Sequence, residues 1–129
     1  MSDLQIGHAR ACITPPVGVV MMGYGARSDP SVAIHDDLSA NAVALSDGVQ
    51  RLVVLALDVC EMPLYTTHLL KGAIMEATGL EPDQILINTS HTHAGPVGGT
   101  YPCCQTCSAP SPALAGRGAG WPGRTRCSL

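Results

Sequence analysis

Arg51-Leu52-Val53-Val54-Leu55-Ala56-Leu57-Asp58 decides the fold of this chain. Its aliphatic run is too continuous for a strand with one wet face, and it predicts a central strand covered on both faces. Just upstream, Leu38 to Leu45 alternates small or apolar residues with polar ones, and Asp47-Gly48 separates the two runs. An Asp-Gly pair between two such runs predicts a β-hairpin. Downstream, Pro63 suits the first turn of a helix, and Leu69, Leu70, Ala73, Ile74 and Ala77 recur at helical spacing. Gly79 fits the residue just past the helix end, and Pro82 follows as a stop. Ile85 to Thr89 is a further short β-like run. Strand, helix and strand over this span make a βαβ unit with a right-handed crossover. At the N-terminal side, residues 4–12 read as a short strand that stops at Thr14-Pro15-Pro16, where two prolines remove donors. The predicted class is α/β.

The βαβ reading has a chemical consequence. Its two strands run parallel, so their C-terminal ends share one rim of the sheet, where ligands of open α/β sheets bind. One strand ends at Asp58, and the other runs into Asn88-Thr89-Ser90-His91-Thr92-His93-Ala94-Gly95-Pro96. A carboxylate and two imidazoles therefore meet on that rim. In extended backbone, residues i and i+2 share a face, so His91 and His93 could point the same way. In a turn, one ring could bind a metal while the other aims at a substrate. Imidazole suits zinc when its second nitrogen is held by a carboxylate or carbonyl, and Asp58 is placed to orient His91 in that way. Two polar histidines in an exposed loop, and a carboxylate that merely starts a loop or caps a helix, are the competing readings.

The other candidates are weaker. Gly23-Tyr24-Gly25 lies in a loop of little periodicity, where glycines serve either close backbone approach or a plain turn. Tyr24 and Arg27 could reach a substrate from that loop. For His35 a structural hydrogen bond is favoured over a site role. His68 falls within the predicted helix as a solvent-facing residue, and His8 carries no assignment.

Composition narrows the classes further. Hydrophobic residues make up 46% and charged residues 13% of the 129, which argues against disorder over the first hundred or so. The net charge is −3 and no basic stripe is interleaved with aromatics, so nucleic acid is not an expected partner. The longest apolar run, Leu52 to Leu57, is too short to span a bilayer. No basic region precedes an apolar stretch at the N-terminus, so no signal peptide is read and a cytoplasmic, reduced setting is the default.

Character changes near Tyr101. All ten acidic residues and all five histidines precede it, and Pro102 to Leu129 is rich in Cys, Gly and Pro. Without periodicity or aliphatic content, this tail is predicted to be disordered. A natural extension, a metal knuckle on Cys103, Cys104 and Cys107, or a frameshift or similar chain-end artefact each fit. The artefact accounts best for Cys and Arg arriving together without acids. Residues 1–101 form one predicted domain and 102–129 the tail.

Four stretches then carry a resemblance. Ile13-Thr14-Pro15-Pro16-Val17-Gly18, Met22-Gly23-Tyr24-Gly25-Ala26-Arg27, Ile34-His35-Asp36-Asp37-Leu38 and His91-Thr92-His93-Ala94-Gly95-Pro96 are similar, in order, to landmarks of the neutral/alkaline non-lysosomal ceramidase family. Together they cover roughly residues 6–100. Ser is more usual where Ala94 stands, and Pro where Asp37 stands. The resemblance implies the N-terminal part of a catalytic domain of a zinc amidohydrolase. That family cleaves N-acylsphingosine to a fatty acid and a sphingoid base. It implies His91 as a zinc ligand and His93 as a catalytic residue beside the metal, with a ceramide-like lipid as substrate. The family's other ligands, a His, a Glu and a Tyr, lie further downstream than this sequence extends, so the chain is expected to be an inactive fragment. Family members are often exported. The alternatives are a small metal-binding protein without turnover and a hydrolase of the same family acting on another amide. A shortened sheet also leaves an unpaired edge, and association through it is expected.

Overall fold

The computed structural model describes residues 4–98. They form a four-stranded mixed sheet with one α-helix: β1 (Gln5–Cys12), β2 (Ser39–Ser46), β3 (Arg51–Leu57), α1 (Leu64–Thr78) and β4 (Ile85–Thr89). The strand order is β1-β2-β3-β4, with β1/β2 and β2/β3 antiparallel and β3/β4 parallel. The predicted hairpin and βαβ unit are both present. The tail assigned to 102–129 lies outside the described residues.

Local chemistry accounts for each junction. In the hairpin, the Asp47 carboxylate accepts from the backbone N–H groups of Gln50 (2.6 Å) and Val49 (2.9 Å), while Gly48 takes the positive φ of 89°. Those two N–H groups, that of Gln50 first, hold the Asp47 carboxyl below its usual range. At the other side of the sheet, α1 begins after Pro63, whose carbonyl accepts from the Thr67 N–H and hydroxyl at 3.0 and 3.1 Å. It ends at Gly79 in the left-handed region, with the Gly79 N–H on the Met75 carbonyl. Arg51, at the start of β3, donates to the carbonyls of Thr78 and Gly79, where cationic donors complement a helix C-terminus.

The core sits on one face of the sheet. The register aligns Ala44, Val53 and Ile85 across β2, β3 and β4. Ile74 and Met75 from α1 pack on them together with Leu80 and Ile87. The helix thus uses only part of the predicted stripe: Ile74 packs, whereas Leu69, Ala73 and Ala77 are exposed. Apolar residues occur around most of α1, so spacing alone did not select the buried side.

The second sheet face departs from expectation. Ile6, Leu45 and Leu52 line up across three strands, followed by Val54 and Leu86. Ile6 is 68% and Leu86 55% exposed, and among the described residues no element covers this face. Among the described residues, β3 is flanked by β2 and β4 but covered on one side only. No helix of the described residues is long and apolar enough to cross a membrane.

Candidate metal centre

The site lies where the parallel pair β3 and β4 runs out. The Ser90 N–H still bonds the Leu57 carbonyl at 2.9 Å, so the two chain segments leave the sheet together. Val59 and Cys60 follow β3 into the interior, and Cys60 is only 3% exposed. After β4 the chain turns sharply at His91, which has φ 56°, a left-handed backbone adopted by few residues with a side chain. The turn brings the His91 ring back over Cys60. Nδ1 of His91 lies 2.8 Å from the Cys60 carbonyl oxygen and 3.6 Å from Cys60 Sγ. The same carbonyl accepts from the Thr89 hydroxyl at 3.3 Å, which fixes the loop that carries the thiol. When protonated, Nδ1 donates to the carbonyl and Nε2 is free to bind a metal. When not, Nδ1 is itself a donor atom facing the thiol.

His93 completes the cluster. Its ring meets that of His91 edge-on, with centroids 5.1 Å apart and planes at 70°. One ligand atom each from Cys60, His91 and His93 fall within 4.8 Å of one another. Two imidazoles and a buried thiol suit zinc or a similar borderline-soft divalent ion.

The long connection between β1 and β2 builds the other wall. Met21 bridges to Pro96, the Met22 N–H bonds the Gly95 carbonyl at 3.1 Å, and the Val97 N–H bonds the Val20 carbonyl at 3.2 Å. This short antiparallel pairing brings Gly23 against the His93 side chain. A Cβ at position 23 would meet His93 Cγ and lie 2.6 Å from its Cβ and Cδ2, and φ there is 107°. Of the two readings of this loop, close approach is the one observed. Tyr24 stands edge-on to the His93 ring with centroids 4.9 Å apart. Arg27 donates to the His93 carbonyl at 2.9 Å and lies 4.8 Å from the centre of the Tyr24 ring. Tyr24 and Arg27 therefore both bear on His93.

Asp58 has different partners from those anticipated. Its carboxylate accepts from the Ser39 hydroxyl at 2.6 Å and the Ser39 N–H at 2.9 Å, whereas the acceptor at His91 Nδ1 is the Cys60 carbonyl. The reason is register: Ala40 pairs with Leu57, which sets Ser39 beside Asp58. The Ser39 hydroxyl first and its N–H second hold the Asp58 carboxyl below its usual range, with burial opposing them and Ser90 and Arg10 adding to the effect. This contribution to stability is therefore complete above the unfolded value near 3.8 and disappears as pH falls through the lower folded value. Asp58→Ala, which leaves the buried Ser39 hydroxyl without its acceptor, is expected to cost ~1–3 kcal/mol at pH 7. Urea unfolding should show that difference shrinking toward pH 2, and a constant difference would refute the titration argument.

His35 sits beside Asp36 on the surface, both almost fully exposed, and lines a groove of about 410 Å³ with Val19, Met21, Leu38, Thr92 and Pro96. His8 and His68 are exposed on β1 and α1, outside the cluster. Sequence reasoning missed Cys60. The available signal was its place just beyond the end of β3, beside the strand that leads into two histidines.

Comparison with solved structures finds ceramidases among the similar chains. The neutral ceramidase from Pseudomonas aeruginosa and a ceramidase complexed with C2 each match with TM-score 0.63 and 29% identity. The fold is ceramidase-like. In both cases the likeness takes in 74% of this chain, and the chain spans only 16% of the ceramidase chain it matches. No family model and no curated protein matches.

Proposed function

We propose that the chain carries part of a zinc-dependent amidohydrolase site, with His91 as a metal ligand and His93 beside the metal. The reading takes N-acylsphingosine as substrate, giving a fatty acid and a sphingoid base. The observation that carries it is the juxtaposition of the His91 and His93 rings, 5.1 Å apart, at the joint ends of β3 and β4 in a ceramidase-like fold. A zinc ion held there would supply Lewis-acid polarisation of the amide carbonyl and activation of water. His93 is the residue set to stabilise negative charge on the carbonyl oxygen or to pass a proton to the departing amine. Arg27 and Tyr24 restrict its backbone and ring, so little reorganisation is needed at that step. The groove lined by Val19, Met21, Leu38 and Pro96 offers an apolar wall for an acyl chain beside Thr92 and Ala94.

The buried Cys60 thiol favours a second reading, a metal-binding protein without turnover. Zinc calorimetry and fatty-acid release from N-acylsphingosine and from a second N-acyl amide separate the readings. The hydrolase reading expects about one zinc per chain, affinity lowered roughly a hundredfold in His91→Ala, and release that depends on zinc and His93. Stoichiometric zinc without release from either amide would favour the second reading. Release from the other amide alone would reassign the substrate, and zinc affinity unchanged in His91→Ala would overturn the assignment of that ligand.

A further inference from the structure

We propose that an apolar lip formed by Val17, Val32 and Ile34, in the connection between β1 and β2, docks on the surface of a neutral phospholipid bilayer. From there an acyl chain enters the adjoining groove. The lip takes its cargo from the lipid-amide reading above and rests on it, adding how so insoluble a substrate reaches the site.

Backbone pairing builds the lip. The Gly18 N–H bonds the Ser31 carbonyl and the Ser31 N–H bonds the Val19 carbonyl, both at 2.9 Å. The Ser31 hydroxyl also accepts from the N–H groups of Gly18 (2.9 Å) and Val19 (3.2 Å). These bonds bring the chain at Val17 beside the chain at Val32. Val32 is 86%, Ile34 51% and Val17 50% exposed, so a pinned segment holds aliphatic side chains out in solvent. Grouped exposure of that kind marks an interaction surface. Val19 turns the other way, buried, and lines the groove of about 410 Å³ together with Ile34. The groove reaches Thr92 and Ala94, the neighbours of His93. Ile34 therefore belongs to both lip and groove, and an apolar path leads from one to the edge of the metal centre.

Charge selects the kind of surface. Asp29, Asp36 and Asp37 lie close to the lip in sequence and are exposed. The nearby Arg27 is engaged by the His93 carbonyl and the Tyr24 ring, and His35 by Asp36. Anionic bilayers attract basic segments and would repel this one. The outermost ammonium groups of choline lipids complement its carboxylates, while short aliphatic side chains reach the acyl boundary beneath.

Flotation of the full chain with phosphatidylcholine vesicles tests the lip. Binding should be weak and reversible, of the order given by a single acyl chain. Val17→Ser combined with Val32→Ser should lower it about fivefold or more. The uncovered sheet face is the competing apolar surface, and Ile6→Ser combined with Leu86→Ser should leave binding within about twofold. Replacing about a third of the lipid by phosphatidylserine should weaken it severalfold. Equal flotation of parent and lip variant, loss confined to the sheet-face variant, or tighter binding to phosphatidylserine would each overturn the proposal. Should the lip variant lose its circular dichroism, Val32→Ser alone decides: binding should fall about threefold, and unchanged binding would overturn the lip. Concentration-dependent self-association abolished by the lip variant would assign the surface to a second copy instead. Fatty-acid release separates this failure from failure of the hydrolase reading. The lip variant should release less from vesicle-borne N-acylsphingosine and as much as the parent from a short-chain, freely dispersed N-acyl amide. Release unaltered on both would overturn the lip alone, and lip-dependent flotation without release from any amide would overturn the hydrolase reading alone.

Discussion

Gly23→Ala is expected to cost about 2–5 kcal/mol of stability and to weaken zinc binding by roughly tenfold or more. Two effects add. At φ 107° an L-residue is strained, and the new methyl would collide with Cβ, Cγ and Cδ2 of His93. These atoms are at the root of the side chain, so the ring cannot swing clear without moving its backbone. That backbone is held by Arg27, which donates to the His93 carbonyl. The strain is thus delivered to the residue proposed to stand beside the metal. Gly25→Ala is the matched control, because nothing lies within 4 Å of a Cβ built there. It should change stability by no more than about 0.5 kcal/mol. Urea unfolding and zinc calorimetry on both variants test the argument. Equal behaviour of the two would mean that Gly23 does not position His93.

Ile85→Ala should be the most damaging single truncation in the sheet, at about 3–4 kcal/mol. Ile85 is 2% exposed and joins Val53 and Leu80 at the centre of the only packed face among the described residues. Domains of this size hold only about 5–15 kcal/mol in total, so a loss of that order removes a large share. Leu86, its neighbour, points to the uncovered face and is 55% exposed. Leu86→Ala should cost less than about 1 kcal/mol. A similar cost for both would mean that the second face is covered in solution, by association or by residues outside 4–98. The midpoint of urea unfolding, read at two protein concentrations, distinguishes association from a buried monomer face.

Much of this architecture was legible because local signals agreed. Asp47-Gly48 marked the hairpin, and Gly79 marked the end of α1 where it occurs. The parallel pairing of β3 and β4 followed from the intervening helix, and with it the placing of Asp58, His91 and His93 on one rim. What stayed hidden depends on contacts distant in sequence. The apposition of Gly23 to His93 arises from the pairing of Met21 with Pro96, which no periodicity encodes. The partner of Asp58 was hidden for a subtler reason. Ser39 faces it only once the hairpin register is known, and a strand assignment alone leaves that register open. Cys60 escaped attention because a single cysteine after an aliphatic strand looks like core. Its proximity to His91 needs the left-handed turn that brings the ring back.

That turn has an evolutionary consequence. At φ 56°, position 91 is a backbone site where glycine or asparagine would rest more comfortably than histidine. The backbone therefore gives no reason to keep a histidine there, and what opposes its replacement is the ring, through its contact with the Cys60 carbonyl and its place in the cluster. In a lineage released from any demand for a donor at this rim, His91 should be among the first residues to drift, and toward glycine or asparagine. Its replacement would leave the sheet intact and remove the imidazole donor, so sequences that have lost the proposed metal site should be recognisable by position 91 while their cores still look alike.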